Sequence, residues 1–183
     1  MSKIIFFPIG KVCTAAYAAN EAKVRVINYP FDWSGNSYKT VSYILDNGLD
    51  NIFDDVEIVN SGLFEGKQIW DKTYNMMFIH EKEDKLSTIK KKYLKRYNNI
   101  INDIKNSDDI YLIQSSNCER KLSDHYSDLA PFFKSNILIE ENIDSNDIDC
   151  IKESILKINP NINIKISSYS LYNTLVEELK TLA

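Results

Sequence analysis

From Leu86 to Ile104 the chain places Ile89, Tyr93, Tyr97, Ile100, Ile101 and Ile104 at intervals of one, three or four residues. That helical period predicts an amphipathic helix with one apolar stripe, its lysine-rich remainder facing water. A few residues on, the period vanishes. Asp108-Asp109 marks a turn, and Ile110-Tyr111-Leu112-Ile113 is a continuous apolar run of strand length. A helix with one stripe to bury, followed closely by a strand apolar on both sides, suits few architectures. It is the repeating unit of a parallel sheet covered by helices.

The rest of the chain extends that alternation. Ile4 to Ile9 predicts a first buried strand ended by Gly10, and the alanine-rich stretch Thr14 to Ala22 predicts a helix. Val24 to Ile27 reads as a second strand, stopped by Pro30. A helix from about Ser37 to Asp46 ends at Asn47-Gly48. Asn51 to Lys72 shows no clear period, although Ile69-Trp70 within it suits a core contact, and Asn75 to His80 is apolar enough for a strand. Ile137-Leu138-Ile139 and Ile162-Asn163-Ile164-Lys165-Ile166 predict two more strands. Between them a helix starts near Asp147 and closes before Pro160, with Ile148, Ile151, Ile155 and Leu156 on one face. A last helix covers Leu171 to Leu182. The expectation is a single α/β domain over residues 1–183, with a mainly parallel sheet and helices on both faces. An α+β arrangement, with the N-terminal third outside that sheet, is the alternative.

Charge and cysteine usage narrow the function classes. The 22 basic and 26 acidic residues are spread along the chain and leave a net charge of −4. No basic footprint for nucleic acid and no polybasic membrane patch results. No apolar run reaches the roughly 18 residues of a membrane span. The N-terminal apolar run is too short for a signal peptide and is broken by Gly10-Lys11. Cys13, Cys118 and Cys150 lie far apart without a Cys-x-x-Cys pair, which fits neither a disulfide framework nor a zinc site. Reduced thiols and a cytoplasmic location are expected, with no metal or cofactor. The excess of 19 lysines over 3 arginines points to AT-rich coding in a low-GC microbe or a virus.

Chemistry concentrates at the first strand-to-helix turn, Pro8-Ile9-Gly10-Lys11-Val12-Cys13-Thr14-Ala15. Ligands in open α/β sheets gather at the carboxyl ends of strands. A thiol at a helix N-terminus faces unpaired N–H groups and the positive end of the dipole, which favour thiolate; Lys11 adds a charge. A small buried hydrophobe is the plainer reading of Cys13. The single glycine meets neither phosphate-loop fingerprint. Of the two histidines, His80 ends an apolar run and is better held than His125, which follows a polar stretch. Asp32 is the carboxylate to orient the imidazole, unless it caps the helix near Ser37 or serves a turn.

Taken together, Gly10-Lys11-Val12-Cys13, Arg25 ahead of Pro30-Phe31-Asp32-Trp33, Phe78-Ile79-His80 and Tyr93-Leu94-Lys95-Arg96-Tyr97 resemble the pattern of a family of papain-like cysteine peptidases. The likeness runs from roughly residue 4 to residue 115, and Pro-Phe-Asp-Trp is its most specific part. It departs at Pro8, where a small hydroxyl residue is expected, and at Lys95, where a second arginine is expected. The resemblance implies a thiol hydrolase acting on peptide or isopeptide bonds.

Three functions follow as expectations. In the first, Cys13 is the nucleophile, His80 the base and Asp32 the orienting group, while Lys11, Arg25, Trp33 and Arg96 contact a peptide or other acyl substrate. In the second, Arg25, Lys11 and Arg96 hold phosphate in a transferase or nucleotide-sugar enzyme. In the third, a non-enzymatic binding domain, Pro-Phe-Asp-Trp is a structural corner locked by a buried Arg25–Asp32 pair.

Overall fold

The computed structural model describes residues 3–9, 13–25, 27–59, 67–78, 80–81, 85–115, 145–169 and 172–182. In chain order these form β1 (Ile4–Pro8), α1 (Thr14–Glu21), α2 (Tyr38–Asn47), β2 (Val56–Val59), β3 (Gln68–Asp71) and β4 (Met76–Phe78). They continue with α3 (Leu86–Lys105), β5 (Asp109–Ser115), α4 (Ser145–Ile158), β6 (Asn163–Tyr169) and α5 (Tyr172–Leu182). The strand expected at Ile137-Leu138-Ile139 lies outside the described residues.

The architecture is mixed α/β. A parallel sheet has the order β1-β5-β6, and an antiparallel sheet has the order β2-β3-β4. In the first, Ile5 lies opposite Ile110 and Phe7 opposite Leu112, while Ile110 pairs with Ile164 on the far side. Alternation along these strands divides the core, because successive side chains point to opposite faces. Ile5, Phe7 and Ile9, with Ile110 and Leu112, join α2, α3 and α4 in one buried cluster. Phe6 and Ile113 face the other way, onto Ala15, Ala18 and Ala19 of α1 and Val176 and Leu179 of α5. The alanines that favour a helix also let α1 lie close on the sheet.

Two expectations change. The described residues of 24–27 form no strand. Lys23 adopts a left-handed φ of 59°, the Val24 N–H turns back to Ala19 O at 3.2 Å, and Arg25 is drawn to Asp32. Those side-chain and capping bonds outweigh the β propensity of Val-Arg-Val-Ile, which is a weak and context-dependent preference. The stretch from 51 to 78 supplies β2, β3 and β4, and these make the antiparallel sheet rather than extending the parallel one. Asp71 shapes that sheet by accepting from the Tyr74 N–H at 2.9 Å and the Phe53 N–H at 2.5 Å. The remaining helices match the expected spans within one or two residues, the usual uncertainty of helix ends.

Both sheets share one core. Ile69, Met76 and Phe78 of the antiparallel sheet belong to the same buried cluster as Ile5 and Phe7. Tyr29 and Phe31 also join it, meeting Phe7 at ring-centroid distances of 5.9 and 5.8 Å. The chain therefore leaves α1 on one face of the parallel sheet and turns residues 29–36 into the other.

Candidate functional site

The site is built where three segments meet: the start of α1, the corner 28–36 and the end of β4. Cys13 is half-buried at the N-cap of α1, and its carbonyl accepts the Tyr17 N–H at 2.9 Å. It is not in a disulfide. Tyr17 is one turn further along, 36% exposed, with its ring edge-on to Trp33 at 4.8 Å. Trp33 in turn meets the exposed imidazole of His80 at 5.9 Å and 89°. One indole thus lies against rings from both the Cys13 helix and the His80 segment.

Backbone geometry puts it there. Gly35 and Met77 exchange hydrogen bonds of 2.8 and 2.9 Å, an antiparallel bridge along the edge of β4. Trp33 lies two residues before Gly35 and His80 three after Met77, so that bridge carries both side chains to the same place. Trp33 Nε1 donates to Asn28 Oδ1 at 3.1 Å, which orients the indole. Ser34 and Asn36 close the corner, with Asn36 Nδ2 donating to Ser34 O at 3.1 Å.

Asp32 serves the corner. Its Oδ1 accepts from Arg25 Nη1 at 2.9 Å and its Oδ2 from the Tyr29 N–H at 2.6 Å. The Arg25 and Asp32 side chains are 4% and 0% exposed. Burial pushes the Asp32 carboxyl up, against the lowering influence of Arg25, the Tyr29 N–H and, more distantly, Arg96. The Arg25 guanidinium also lies over the Tyr29 ring at 4.8 Å, while its Nε and Nη2 are buried without hydrogen-bond acceptors. Arg25 therefore faces protein, not an open cleft. Tyr29 extends the chain of contacts by donating to Asp103 Oδ2 at 2.8 Å, and Asp103 pairs with Lys3 at 3.1 Å.

A second arginine–tyrosine–carboxylate group joins Glu81 to α3. Glu81, next to His80 and 4% exposed, accepts from Tyr93 Oη at 3.1 Å and pairs with Lys92 Nζ at 2.7 Å. Arg96 Nη1 is 3.9 Å from Glu81 Oε1, and its guanidinium lies over the Tyr93 ring at 4.8 Å. Burial first, and Glu81 second, hold the Tyr93 phenol well above its ordinary range, so it remains a donor. Arg96 carries the influence between the two groups, since its charge also bears on Asp32.

The structure thus gathers Arg25, Asp32, Trp33, His80 and Arg96 around one region, with Cys13 one helical turn from the ring that Trp33 meets. Asp32 is engaged with Arg25 and Tyr29. Lys11 lies outside the described residues, as do Gly10, Val12, Cys118 and His125. Glu81 and Gly35 were not singled out from the sequence. Glu81 follows His80 directly, and two donors and a nearby guanidinium on α3 await it, but nothing in the residue spacing joins 81 to 92, 93 and 96 before the fold does. No family model, curated protein or solved structure matches this chain in the comparisons made with them.

Proposed function

We propose that the chain is a thiol-dependent hydrolase of the papain-like kind, with Cys13 as nucleophile and His80 as base. The observation that supports this reading is Trp33, edge-on to both Tyr17 of the Cys13 helix and His80. His80 takes the thiol proton, and Cys13 Sγ attacks the carbonyl carbon of a peptide or other acyl substrate. The tetrahedral adduct expels its amine, which leaves with the proton from His80, and a thioester remains. Water, deprotonated by the same imidazole, opens the thioester, releases the acid and restores the thiol. In this reading, N–H groups at the α1 terminus receive the oxyanion. Asp32 acts on this chemistry through the corner that carries Trp33. The cytoplasm, where thiols stay reduced, is the compartment that suits it.

A mainly parallel sheet covered on both faces remains the fold class of the proposal, with the antiparallel sheet as a separate unit that shares its core. A second reading draws support from the Arg25–Asp32 pair itself. Buried and joined by an ion pair, it suits a binding domain in which Pro-Phe-Asp-Trp is a structural corner. The phosphate-binding alternative requires Arg25 to turn from Asp32 toward a ligand.

Iodoacetamide labelling of Cys13 against pH, read by mass spectrometry, separates these readings. Rapid labelling that persists below about pH 7 and slows in His80→Ala is the expected result. Labelling that rises only near the ordinary thiol range of about pH 8.5, indifferent to His80→Ala, supports the binding domain and ends the hydrolase reading.

A further inference from the structure

We infer that Glu81 is a positioning residue for His80, a role that rests on His80 acting as the base proposed above. The residues flanking His80 are anchored by the same side chain. Phe78, two positions before it, packs its ring on Tyr93 at 4.7 Å, and Glu81, one position after it, accepts from Tyr93 Oη at 3.1 Å. Consecutive Cα atoms are only about 3.8 Å apart, so fixing residue 81 fixes the backbone origin of the imidazole closely. What is left to the imidazole is rotation about its own side-chain bonds, and the Trp33 ring at 5.9 Å limits that.

The fixing is strong because of where its two donors and the Arg96 charge sit. Lys92, Tyr93 and Arg96 occupy a little over one turn of α3, a 20-residue helix whose Ile89, Ile100 and Ile104 are fully buried. A carboxylate held by two cations and a phenol on such an element has little freedom to follow a loop. Reactive groups need this support from their neighbours, since a displacement of about 1 Å can cost a hundredfold in rate. A buried acid serving only stability has no need to adjoin an exposed imidazole. Glu81 is itself turned inward, away from the exposed side of its neighbour, so its action on His80 passes through the backbone.

The test uses the full chain, which holds two histidines, and follows the His80 ring protons by NMR in wild type, Glu81→Gln, Lys92→Met and Trp33→Phe. The Trp33→Phe spectrum marks the His80 signals, because it alters the ring-current displacement they carry. Glu81→Gln keeps the size of the side chain and one bond to Tyr93 while removing its charge. Lys92→Met loosens the clamp from the partly exposed side, should Glu81→Gln fail to fold. The expected result is that the His80 signals move toward their positions in an unstructured chain in both variants, with unfolding midpoints within a few degrees of wild type in Lys92→Met. Cys13 labelling near pH 6.5 then falls about tenfold or more. His80 signals that coincide with wild type in either folded variant overturn the inference. If the signals move while wild-type Cys13 shows only ordinary thiol reactivity, the hydrolase reading fails and the positional coupling of residues 80 and 81 stands alone.

Discussion

Arg25 and Asp32 are joined by a 2.9 Å bond with their side chains 4% and 0% exposed, seven residues apart in the chain. The pair closes a loop that would otherwise enter the core with its backbone donors unmet. Asp32 Oδ2 takes the Tyr29 N–H at 2.6 Å, and Tyr29 and Phe31 pack on Phe7. Trp33 then emerges at the surface in one orientation.

Removing either partner leaves the other charge buried and alone. Arg25→Met and Asp32→Leu are each expected to destabilise the protein by about 3–5 kcal/mol. The double variant should lose less than the sum of the two, since replacing a whole buried pair by apolar groups is often nearly neutral. Urea unfolding of the four proteins measures the coupling. Additive losses would mean that the two side chains do not act as a pair.

Trp33→Leu removes both ring pairs at the surface of the site. Each such pair contributes about 0.5–1.5 kcal/mol beyond burial, so a loss of about 1–3 kcal/mol is expected. Labelling of Cys13 and the NMR signals of His80 should change together, because the indole meets the rings of both segments. A change in one without the other would show that Trp33 does not couple them.

Gly48 follows α2 with φ 87° and ψ −177°, a conformation reserved for glycine. The nearest atom to a Cβ added there is Tyr97 Oη at 4.0 Å, so space is available and strain is the whole cost. Gly48→Ala is expected to lower stability by about 1–3 kcal/mol. Thermal unfolding tests this, and an unchanged midpoint would show that the turn relaxes freely.

Burial raises the phenols of Tyr29, Tyr74, Tyr93 and Tyr97 above their ordinary value of 10.0. In the unfolded chain these groups release their protons near pH 10, while in the folded chain they keep them. The folded state then binds more protons than the unfolded one, and stability falls as pH rises above about 10. Below that pH all four are protonated in both states and contribute no pH dependence. Tyrosinate absorbance should therefore rise together with loss of near-ultraviolet circular dichroism in alkaline titration. Ionisation of every tyrosine before unfolding would contradict the buried phenols.

Helix α3 and strands β1, β5 and β6 were legible in residue spacing because each is governed by a local period that matches its burial. Ser37 and Gly48 bounded α2 for equally local reasons, a side chain accepting the Thr40 N–H at 3.1 Å and a left-handed φ. The described residues of 24–27 were misread as a strand because Arg25 answers to Asp32 and not to its neighbours. Apart from Ile69-Trp70, marked for the core that Ile69 joins, Asn51 to Lys72 showed no clear period, since β2 exposes Glu57 and Ile58 and its pairing with β3 sets its place.

The sequence by itself determined the order of helices and strands on the parallel side of the molecule, the thiol at the first helix terminus, and Pro-Phe-Asp-Trp as a marked corner. Only tertiary structure decided that Gly35 would bridge to Met77, that Trp33 would lie between Tyr17 and His80, and that Glu81 would meet Lys92, Tyr93 and Arg96. The reason is range. Periodicity and capping arise from groups within four residues of one another, whereas contacts between segments tens of residues apart in the chain arise from packing and from the partners that buried charges require.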